Sequence, residues 1–488
     1  MDPKNTDNNK KTTAPAEIHT SVEEAKKAEE AAHIANCSES QKSAIDEISK
    51  GFEVNKTKLD EIVNHFCNEM NKGLEKHGQT VAMVPSYVTG VPTGKEVGTF
   101  LALDLGGTNL RVCLIKLGSD GNISIKQQKY KVSETYKTGE ARQLFDFLAD
   151  CIDKFLAELN ETDKRSSSKE GKLNLGFTFS FPVEQTAIDK GNLISWTKGF
   201  TCAGAVGKDV VFMLQEALNR KGVPVKVSAL VNDTVGTLLA HAYKHPKTLL
   251  GVILGTGTNC AYFEKISNIK KLQFNSNAEH MIINLEWGSF DNEKKVLPIT
   301  MFDNKLDRES NIPRFQIFEK MVSGMYLGEI TRNVLLNLID RKLIFDGISS
   351  KDFNTHYSFE TAYLSTIEED DSDTLENVRK ILEEELNIPS TTLTDRKIVK
   401  RVCQIVGIRS ARLSAAGLSA IISHCNVIET GCDIGIDGSL FEFYPAFEAR
   451  IKNALREHFG SNADNINLGL ARDGSGVGAA LAAMLSVK

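Results

Sequence analysis

Two stretches of the chain repeat one pattern of apolar and polar positions. Each stretch has an apolar run, a short turn rich in Gly, Thr and Asn, and a second apolar run. The first spans Phe100–Leu117 with its turn at 104–109, and the second spans Leu249–Phe263 with its turn at 255–259. Apolar runs bounded by turn residues predict buried strands, and glycine supplies the backbone conformations of tight hairpin turns. The repetition predicts a duplicated core in which two hairpins face each other.

The remaining segments alternate between helical and strand patterns. Apolar side chains recur at three- and four-residue spacing in Leu59–Leu74 and Leu144–Leu156, which predicts amphipathic helices. Short apolar runs predict strands over Leu173–Val183, ended by Pro182, and over Val225–Val231. This alternation of hairpins, strands and helices predicts an α/β fold with two lobes and a cleft between them.

The composition is that of a soluble globular protein. The chain has 488 residues, of which 41% are hydrophobic and 25% charged, and it is long enough for two or three domains. A net charge of −6 argues against nucleic-acid binding, and the absence of a long apolar run argues against a membrane span. The nine cysteines form no C-x-x-C pair, which favours reduced thiols, and no signal-peptide pattern is present. We therefore expect a cytoplasmic protein.

The glycine turns suit phosphate groups. Gly106 and Gly107 leave backbone N–H groups accessible, and the side chains of Thr108 and Asn109 add further polar groups for an anion. Asp104, at the end of the strand, suits the hydrated Mg²⁺ that accompanies a bound phosphate. A structural hairpin is the alternative for either turn taken alone. Because the chain has neither a P-loop nor the protein-kinase motifs, a nucleotide site would have to be of this two-hairpin kind.

Asp233 is the candidate general base. It follows the predicted strand Val225–Val231, and α/β folds place ligands at this end of their strands. Its carboxylate can accept a proton from a hydroxyl nucleophile. The alternative is structural, because Asn-Asp-Thr at 232–234 before an apolar helix is also a good N-cap.

Two single carboxylates, Glu286 and Glu319, lie in apolar surroundings. Buried charges need partners, and sugar hydroxyls are suitable ones. A structural ion pair or a partly exposed helix face is the alternative for each. Lys198 suits a developing phosphoryl charge or a sugar hydroxyl, unless it is an ordinary surface lysine. Asn232 and Asn259 carry amides that donate and accept at once, as polyol recognition requires.

Seven motifs then follow one another along the chain. They are D-L-G-G-T-N at 104–109, F-S-F-P at 179–182, W-T-K-G-F at 196–200, N-D-T at 232–234, G-T-G-T-N at 255–259, E-W-G-S-F at 286–290 and F-E-K-x-V-S-G-M-Y-L-G-E at 318–329. Together they resemble the eukaryotic hexokinase family, and most of all its fungal-type glucokinase/hexokinase group. The resemblance covers the chain from about residue 45 to the C-terminus.

This resemblance implies ATP-dependent phosphorylation of the 6-hydroxyl of glucose, with Mg²⁺ carried by the ATP. Whether mannose and fructose are also substrates is left open. It implies a duplicated ribonuclease-H-like fold with an interlobe cleft, as in actin, Hsp70-type ATPases and sugar kinases. A polar, disordered extension is expected over 1–40, an N-terminal small domain over 41–245 and a C-terminal large domain over 246–485. We expect a monomer or a weak homo-oligomer.

The roles of individual residues are carried over motif by motif. Asp233 would be the base for the sugar hydroxyl. The sugar pocket would be formed by Ser180, Phe181, Thr197, Lys198, Asn232, Asn259, Glu286 and Glu319. The nucleotide and its phosphates would contact Asp104, Gly106, Gly107, Thr108, Asn109, Arg111, Lys129, Gly255, Thr256, Gly257, Thr258, Gly438, Ser439, Gly474 and Ser475.

Two other functions stay open at this point. A non-catalytic sugar sensor on the same fold would be expected to lack the base or a sugar-binding residue, yet all of them are present. An actin- or Hsp70-like ATPase would have no need of the sugar-pocket motifs. The chain holds one kinase unit, and its polar extension is longer than the family pattern, so neither tandem regulation nor a role for the extension is predicted.

Overall fold

The described part of the chain forms two lobes around two main sheets. A computed structural model describes five segments, residues 37–107, 109–119, 121–159, 171–274 and 276–487. Thr108 and most of the predicted extension therefore lie outside the described residues. The strands of the described part form a six-stranded sheet, a five-stranded sheet and a two-stranded ribbon.

The strands and helices are numbered in chain order. The strands are β1 (Val84–Pro85), β2 (Gly98–Leu105), β3 (Asn109–Leu117), β4 (Ile123–Lys131), β5 (Leu173–Phe179), β6 (Val183–Ala187), β7 (Lys190–Leu193), β8 (Val225–Val231), β9 (Thr248–Leu254), β10 (Thr258–Lys265), β11 (His280–Asn284), β12 (Cys432–Asp437) and β13 (Ile466–Leu470). The α-helices are α1 (Glu39–Phe52), α2 (Lys56–Glu75), α3 (Glu134–Thr138), α4 (Ala141–Ala157), α5 (Val210–Arg220), α6 (Asp233–Ala242), α7 (Met301–Glu309), α8 (Ile317–Val322), α9 (Gly324–Asp340), α10 (Lys351–Asn354), α11 (Thr361–Glu369), α12 (Glu376–Lys380), α13 (Leu393–Cys425), α14 (Ser439–Phe443), α15 (Phe447–Phe459) and α16 (Gly474–Ser486). Short 3₁₀ segments cover Ile266–Asn268, Trp287–Ser289, Phe345–Gly347 and Gly460–Asn465, and a π turn covers Ile381–Glu385.

The two main sheets have the same topology. In the small lobe the strand order is β4-β3-β2-β5-β8, and in the large lobe it is β11-β10-β9-β12-β13 with β1 added at the edge. In each sheet the first three strands along the chain are antiparallel, and the last two join them in parallel. Each half therefore repeats the order third, second, first, fourth, fifth. This repeat confirms the predicted duplicated α/β core, and the predicted hairpins are β2–β3 and β9–β10.

The helix that follows the fifth strand of each half packs on the sheet of the other half. Helix α6 lies on β9, β10 and β12, whereas α16 lies on β2, β5 and β8. The two helices cross each other through glycine, because a Cβ atom added to Gly478 would lie 1.9 Å from the carbonyl oxygen of Gly236. Close backbone contact of this kind needs glycine on at least one helix. The crossing therefore joins the two lobes by direct backbone contact.

The hydrophobic cores cross the domain boundary predicted at 245/246. One core belongs to the small lobe, with Leu103 of β2 and Phe177 of β5 among its buried side chains. The large-lobe core joins Phe66 of α2 to the 250–466 region, because α2 packs on α13 and α15. Amphipathic helices near the start of the chain thus complete the larger lobe in three dimensions, although they precede the small lobe in sequence.

Helix α13 is the central helix of the large lobe. It begins at Leu393, where Thr392 and Asp395 form a capping box, and it runs for 33 residues to Cys425. Among the described helices it alone is long and apolar enough to cross a membrane, and 89% of its apolar window is buried inside the protein. Its composition is explained by packing against α2, α9 and α15.

Candidate active site

Strands from both sheets end at one cleft between the lobes. Asp104 lies at the end of β2, Asp233 directly follows β8, and Asp437 ends β12. These three carboxylates are close enough to influence one another, since both Asp104 and Asp437 interact electrostatically with Asp233. The common location follows from the duplicated topology, in which the carboxyl ends of parallel strands face the crevice.

Asp233 is the first residue of α6, and Asn232 is its N-cap. The Asn232 side chain accepts from the backbone N–H of Thr234 at 3.0 Å, so Asn232 has the N-cap role that was the structural alternative for this tripeptide. Asp233 accepts from the same N–H at 2.9 Å, and its partly exposed carboxylate faces the cleft. Burial raises the pKa of Asp233 and the charge of Asp104 adds to that rise, whereas Lys198 and the Ser180 hydroxyl oppose it. A carboxylate whose charge is disfavoured is well suited to take up a proton.

Glu286 is held by two amide groups. Its Oε1 accepts from Asn259 Nδ2 at 2.9 Å and from Asn284 Nδ2 at 2.7 Å. Its backbone is left-handed, with φ of 56°, and the Glu286 N–H donates to Asn259 Oδ1 at 3.1 Å. Burial raises the pKa of Glu286, an effect that the Asn284 bond opposes and the charge of Asp233 strengthens.

Glu319 lies in the first turn of α8 and faces the same cleft. Its Oε2 accepts from the backbone N–H of Thr258 at 3.2 Å. Burial raises the pKa of Glu319 to about 6, with the Thr258 N–H opposing the rise and the charge of Glu286 adding to it. The cleft therefore gathers Asp233, Glu286 and Glu319, and the exposed Lys198 is the cation that acts on all three.

The predicted sugar-pocket residues of the small lobe lie around Lys198. This lysine is left-handed, with φ of 54°, and its Nζ lies 5.6 Å from the centre of the Phe181 ring. Phe181 itself is only 5% exposed, and its ring packs edge-on against Trp196 at 5.0 Å. Its side chain thus belongs to an aromatic cluster beneath the loop rather than to the cleft surface. Ser180 is half-buried beside Asp233, and Thr197 is exposed next to Lys198.

The first glycine turn is locked to the start of the last helix. Arg111 lies opposite Asp104 in the β2–β3 register and donates to its Oδ2 from Nη2 at 2.6 Å and from Nε at 3.2 Å. The Ser475 hydroxyl donates to the same oxygen at 2.9 Å, and Arg111 Nη1 donates to Asp473 at 3.0 Å. Gly474 is buried against Thr237 of α6. The predicted nucleotide residues Arg111 and Ser475 are thus joined in one polar cluster with Asp104.

The remaining residues predicted for this side of the nucleotide have simpler surroundings. The Gly106 N–H donates to the Asn109 carbonyl oxygen at 3.0 Å and closes the turn. A Cβ atom on Gly107 would lie 3.4 Å from the Lys198 side chain, so this turn borders the lysine loop. Lys129 is exposed and lies opposite Arg111 in the β3–β4 register.

The second glycine turn lies between Glu319 and Gly438. A Cβ atom on Gly257 would lie 3.0 Å from the Glu319 carboxylate, and one on Gly255 would lie 3.4 Å from Gly438. Gly438 has a φ of 124° and needs to be glycine, because a Cβ there would lie 2.3 Å from the Leu254 carbonyl oxygen. The buried Gly255 therefore packs directly against the backbone of Gly438 and Ser439. Thr256 is exposed, while the Thr258 hydroxyl accepts from the Trp287 indole at 3.1 Å.

Three polar residues of the site were missed by sequence reasoning. Asn284 contacts Glu286 and Asn259, Asp473 pairs with Arg111, and Asp437 lies within electrostatic reach of Arg111 and Asp233. Asn284 was detectable, because it is a polar residue at the end of an apolar run, two residues before the candidate Glu286. Its alternation with Glu286 in Ile-Asn-Leu-Glu marks it as a neighbour of the site.

The arrangement is that of a two-lobed kinase acting on a polyhydroxyl substrate. Carboxylates and amides that suit several hydroxyl groups lie on one side, and two glycine turns that suit phosphates lie beside them. A duplicated fold with both features in one cleft defines the sugar-kinase class of two-lobed phosphotransferases.

Comparison with known proteins narrows this class to one family. Two family profiles described as hexokinase match residues 44–243 and 249–485. A glucokinase of Aspergillus niger is 44% identical over 476 residues, covering 90% of this chain and 96% of its own length. A hexokinase of Emericella nidulans is 43% identical and covers 90% of this chain and 89% of its own. The structure of a Schistosoma mansoni hexokinase complexed with glucose superposes with a TM-score of 0.81 at 36% identity, covering 92% of this chain and 100% of that one.

The chain therefore belongs to the hexokinase family. The predicted family is confirmed, and so is its function as a phosphotransferase that uses ATP and a hexose hydroxyl as acceptor. The roles of the individual site residues remain predictions that the geometry above makes specific.

Proposed function

We propose that this protein transfers the γ-phosphoryl group of Mg²⁺-bound ATP to the 6-hydroxyl of glucose, with Asp233 as the general base. The observation that carries the proposal is the meeting of Asp233, Glu286 and Glu319 in one cleft of a hexokinase-family fold. Glucose would be held by Glu286, Glu319, Asn232 and Asn259. The two carboxylates would accept hydrogen bonds from sugar hydroxyls, and the two amides would both accept and donate hydrogen bonds.

In the proposed reaction Asp233 accepts the proton of the 6-hydroxyl as its oxygen attacks the γ-phosphorus and ADP leaves. The raised pKa of Asp233 favours this proton transfer. Lys198 would balance the charge that develops on the transferred group, because its charge acts on all three carboxylates. Closure of the lobes over glucose would keep water from replacing the sugar as acceptor.

The phosphates would lie between the two glycine turns. Gly255 and Gly438 pack against each other without side chains, so the backbone of the second turn lies directly beside the Gly438-Ser439 segment, and backbone N–H groups of such turns suit phosphate oxygens. Asp104 fits the role of a ligand to the hydrated Mg²⁺, because its three described bonds all go to Oδ2 and its Oδ1 has no partner among the described residues. When bound, the ion would supply charge neutralisation of the triphosphate. Arg111 and Ser475 would then hold Asp104 in place.

Substitution of Asp233 tests the proposal. We expect Asp233→Ala to bind glucose within several-fold of wild type and to lose at least ~10²-fold in turnover, the usual size of a general-base contribution. Turnover is measured with ATP and glucose in a coupled assay that follows glucose 6-phosphate. Asp209→Asn is a matched control, because Asp209 also begins a helix but lies in the small lobe and caps α5. Near-normal turnover of Asp233→Ala would refute the assignment.

The proposal also covers the range of sugars accepted, the cellular location and the oligomeric state. Acceptance of mannose and fructose is tested by the same assay with a panel of hexoses, and turnover of ATP at equal rates with and without hexose would favour an actin- or Hsp70-like ATPase. A cytoplasmic location is supported by the nine cysteines, all of which are free thiols. A monomer or weak homo-oligomer is expected, and sedimentation velocity measures the oligomeric state.

A further inference from the structure

A pair of asparagine amides connects the sugar-facing carboxylate to the large-lobe sheet. Asn284 ends β11 and is 8% exposed, and Asn259 lies on the neighbouring strand β10. Asn259 Nδ2 donates to Asn284 Oδ1 at 2.8 Å, and both amides donate to Oε1 of Glu286. The second carboxylate oxygen of Glu286 has no partner among the described residues. The network thus satisfies one oxygen and leaves the other for a ligand.

The orientation of both amides follows from their partners. Asn259 Oδ1 accepts from the backbone N–H groups of Cys260 at 2.8 Å and Glu286 at 3.1 Å, so its Nδ2 has to face Asn284 and Glu286. Asn284 in turn has to present its oxygen to Asn259 and its nitrogen to the carboxylate. Each amide therefore has one arrangement that satisfies all its contacts.

The same network reaches the helix that carries the base. Thr234 Oγ1 lies 3.4 Å from Asn284 Oδ1 and 2.8 Å from Oδ1 of the N-cap Asn232. The Thr234 N–H donates to Asp233 at 2.9 Å. Asn284 is therefore the one side chain of the described site that touches both the Glu286 carboxylate and the first turn of α6.

We infer that Asn284 is a positioning residue that holds Glu286 in its ionised, hydroxyl-accepting form and fixes it relative to the start of α6. This inference rests on the proposed role of Glu286 in sugar binding. Each charged hydrogen bond to a carboxylate favours its ionised form. The charged groups facing Glu286 have opposing effects on its ionisation. Asp233 of α6 and Glu319 of α8 disfavour the ionised form, whereas Lys198 of the small-lobe loop favours it. The Asn284 bond is a short one, so its loss shifts this balance towards the protonated acid.

The expected signature is a sugar affinity that depends on pH. In Asn284→Ala, a larger share of Glu286 would be protonated and bind glucose poorly, and this share would fall as the pH rises. We expect KM for glucose to rise roughly tenfold at pH 6.5, the effect of one lost bond to a charged group, and to return to within about threefold of wild type at pH 9. The turnover number should change less than KM, because Asn284 does not touch the reacting hydroxyl.

Three comparisons make the test decisive. Asn333→Ala is the matched control, because Asn333 is also a buried large-lobe asparagine but its amide has no partner among the described residues. Adding Asn284→Ala to Glu286→Gln should change KM less than twofold, since a neutral side chain no longer needs the bond. Should Asn284→Ala fold poorly by circular dichroism, Asn284→Thr keeps a hydroxyl and is measured in the same way.

The outcomes separate this inference from the proposed function. A KM that is unchanged, or raised equally from pH 6.5 to 9, would overturn the role of Asn284. Full additivity with Glu286→Gln would overturn it as well. If the wild-type protein itself shows no glucose-dependent ATP turnover, or if Glu286→Gln leaves KM unchanged, the proposed function or the role of Glu286 fails instead.

Discussion

Neutralising Glu319 should remove part of the pH dependence of glucose binding. The carboxylate lies in the cleft with a pKa raised to about 6 by burial and by Glu286, compared with 4.5 for an ordinary glutamate. A sugar hydroxyl that donates a hydrogen bond to Glu319 would bind to the ionised form of this carboxylate. Because the folded pKa is raised, the protonated form accumulates as pH falls through 6, and glucose affinity should fall with it.

The size of the effect follows from the fraction of Glu319 that is ionised. With a pKa of about 6, about a tenth of the groups is ionised at pH 5 and nearly all are at pH 8. Glucose affinity should therefore be about tenfold lower at pH 5 than at pH 8 because of this group alone, and about half a proton should be released per glucose at pH 6. Glu319→Gln should bind more weakly at pH 8 but lose this tenfold component.

Isothermal titration of glucose without ATP measures both quantities. Titrations at pH 5 to 8 give the change of glucose affinity with pH. Repeating them in buffers of different ionisation enthalpy gives the number of protons released per glucose bound. Glu429→Gln is the control, because Glu429 is exposed in the segment before β12, at the end of that strand opposite the cleft. The other cleft carboxylates titrate in both proteins, so the difference between the two slopes reports Glu319. Equal slopes in wild type and Glu319→Gln would refute the reasoning.

Three further predictions concern stability. Gly478→Ala should lower the free energy of unfolding by about 1–3 kcal/mol, since its Cβ would lie 1.9 Å from the Gly236 carbonyl oxygen. A urea unfolding curve equal to that of wild type would contradict the close helix crossing. Burial lowers the pKa of His241 to about 4, so the unfolded chain binds this proton at a higher pH than the folded chain does. The free energy of unfolding should therefore fall by up to ~3 kcal/mol as the pH falls from 6.5 to 4. Urea unfolding of His241→Gln should show a smaller loss over this pH range. Lys320→Met should cost about 1–3 kcal/mol, because Asp307 loses its 2.8 Å partner in a buried pair and keeps Lys294 at 3.1 Å as its cationic partner; a melting temperature equal to wild type would argue against this.

The sequence predicted the hairpins because their apolar runs and turns are local signals. It also predicted strand β8, Val225–Val231, with the bounds seen in the structure. The strand predicted over Leu173–Val183 is β5, Leu173–Phe179, and its pairing ends before Pro182 as predicted, whereas Val183 begins β6. The exchange of α6 and α16 between sheets was not predicted, because an apolar helix face does not specify which of two similar sheets it covers.

The site was predicted best where a polar residue ends an apolar strand. Asp104 and Asp233 are of this kind, and both lie at the cleft. The pairing of Asp104 with Arg111 follows from hairpin register, since a turn over 106–109 places positions 104 and 111 opposite each other. The contact of Arg111 with Asp473 could not be read in this way, because it joins residues from the two halves of the duplication.

The duplication explains why Asp233 and the glycine turns meet at one cleft. In each half the helix after the fifth strand begins at the cleft, α6 with Asp233 and α16 with Gly474 and Ser475. The two beginnings have taken different roles: that of α6 presents a carboxylate to the cleft, whereas Ser475 donates to Asp104 and holds the opposite hairpin. Because each helix packs on the sheet of the other half, a movement of one lobe carries the helix of the other half with it. A change in the angle between the lobes would therefore move the start of α6 relative to the start of α16.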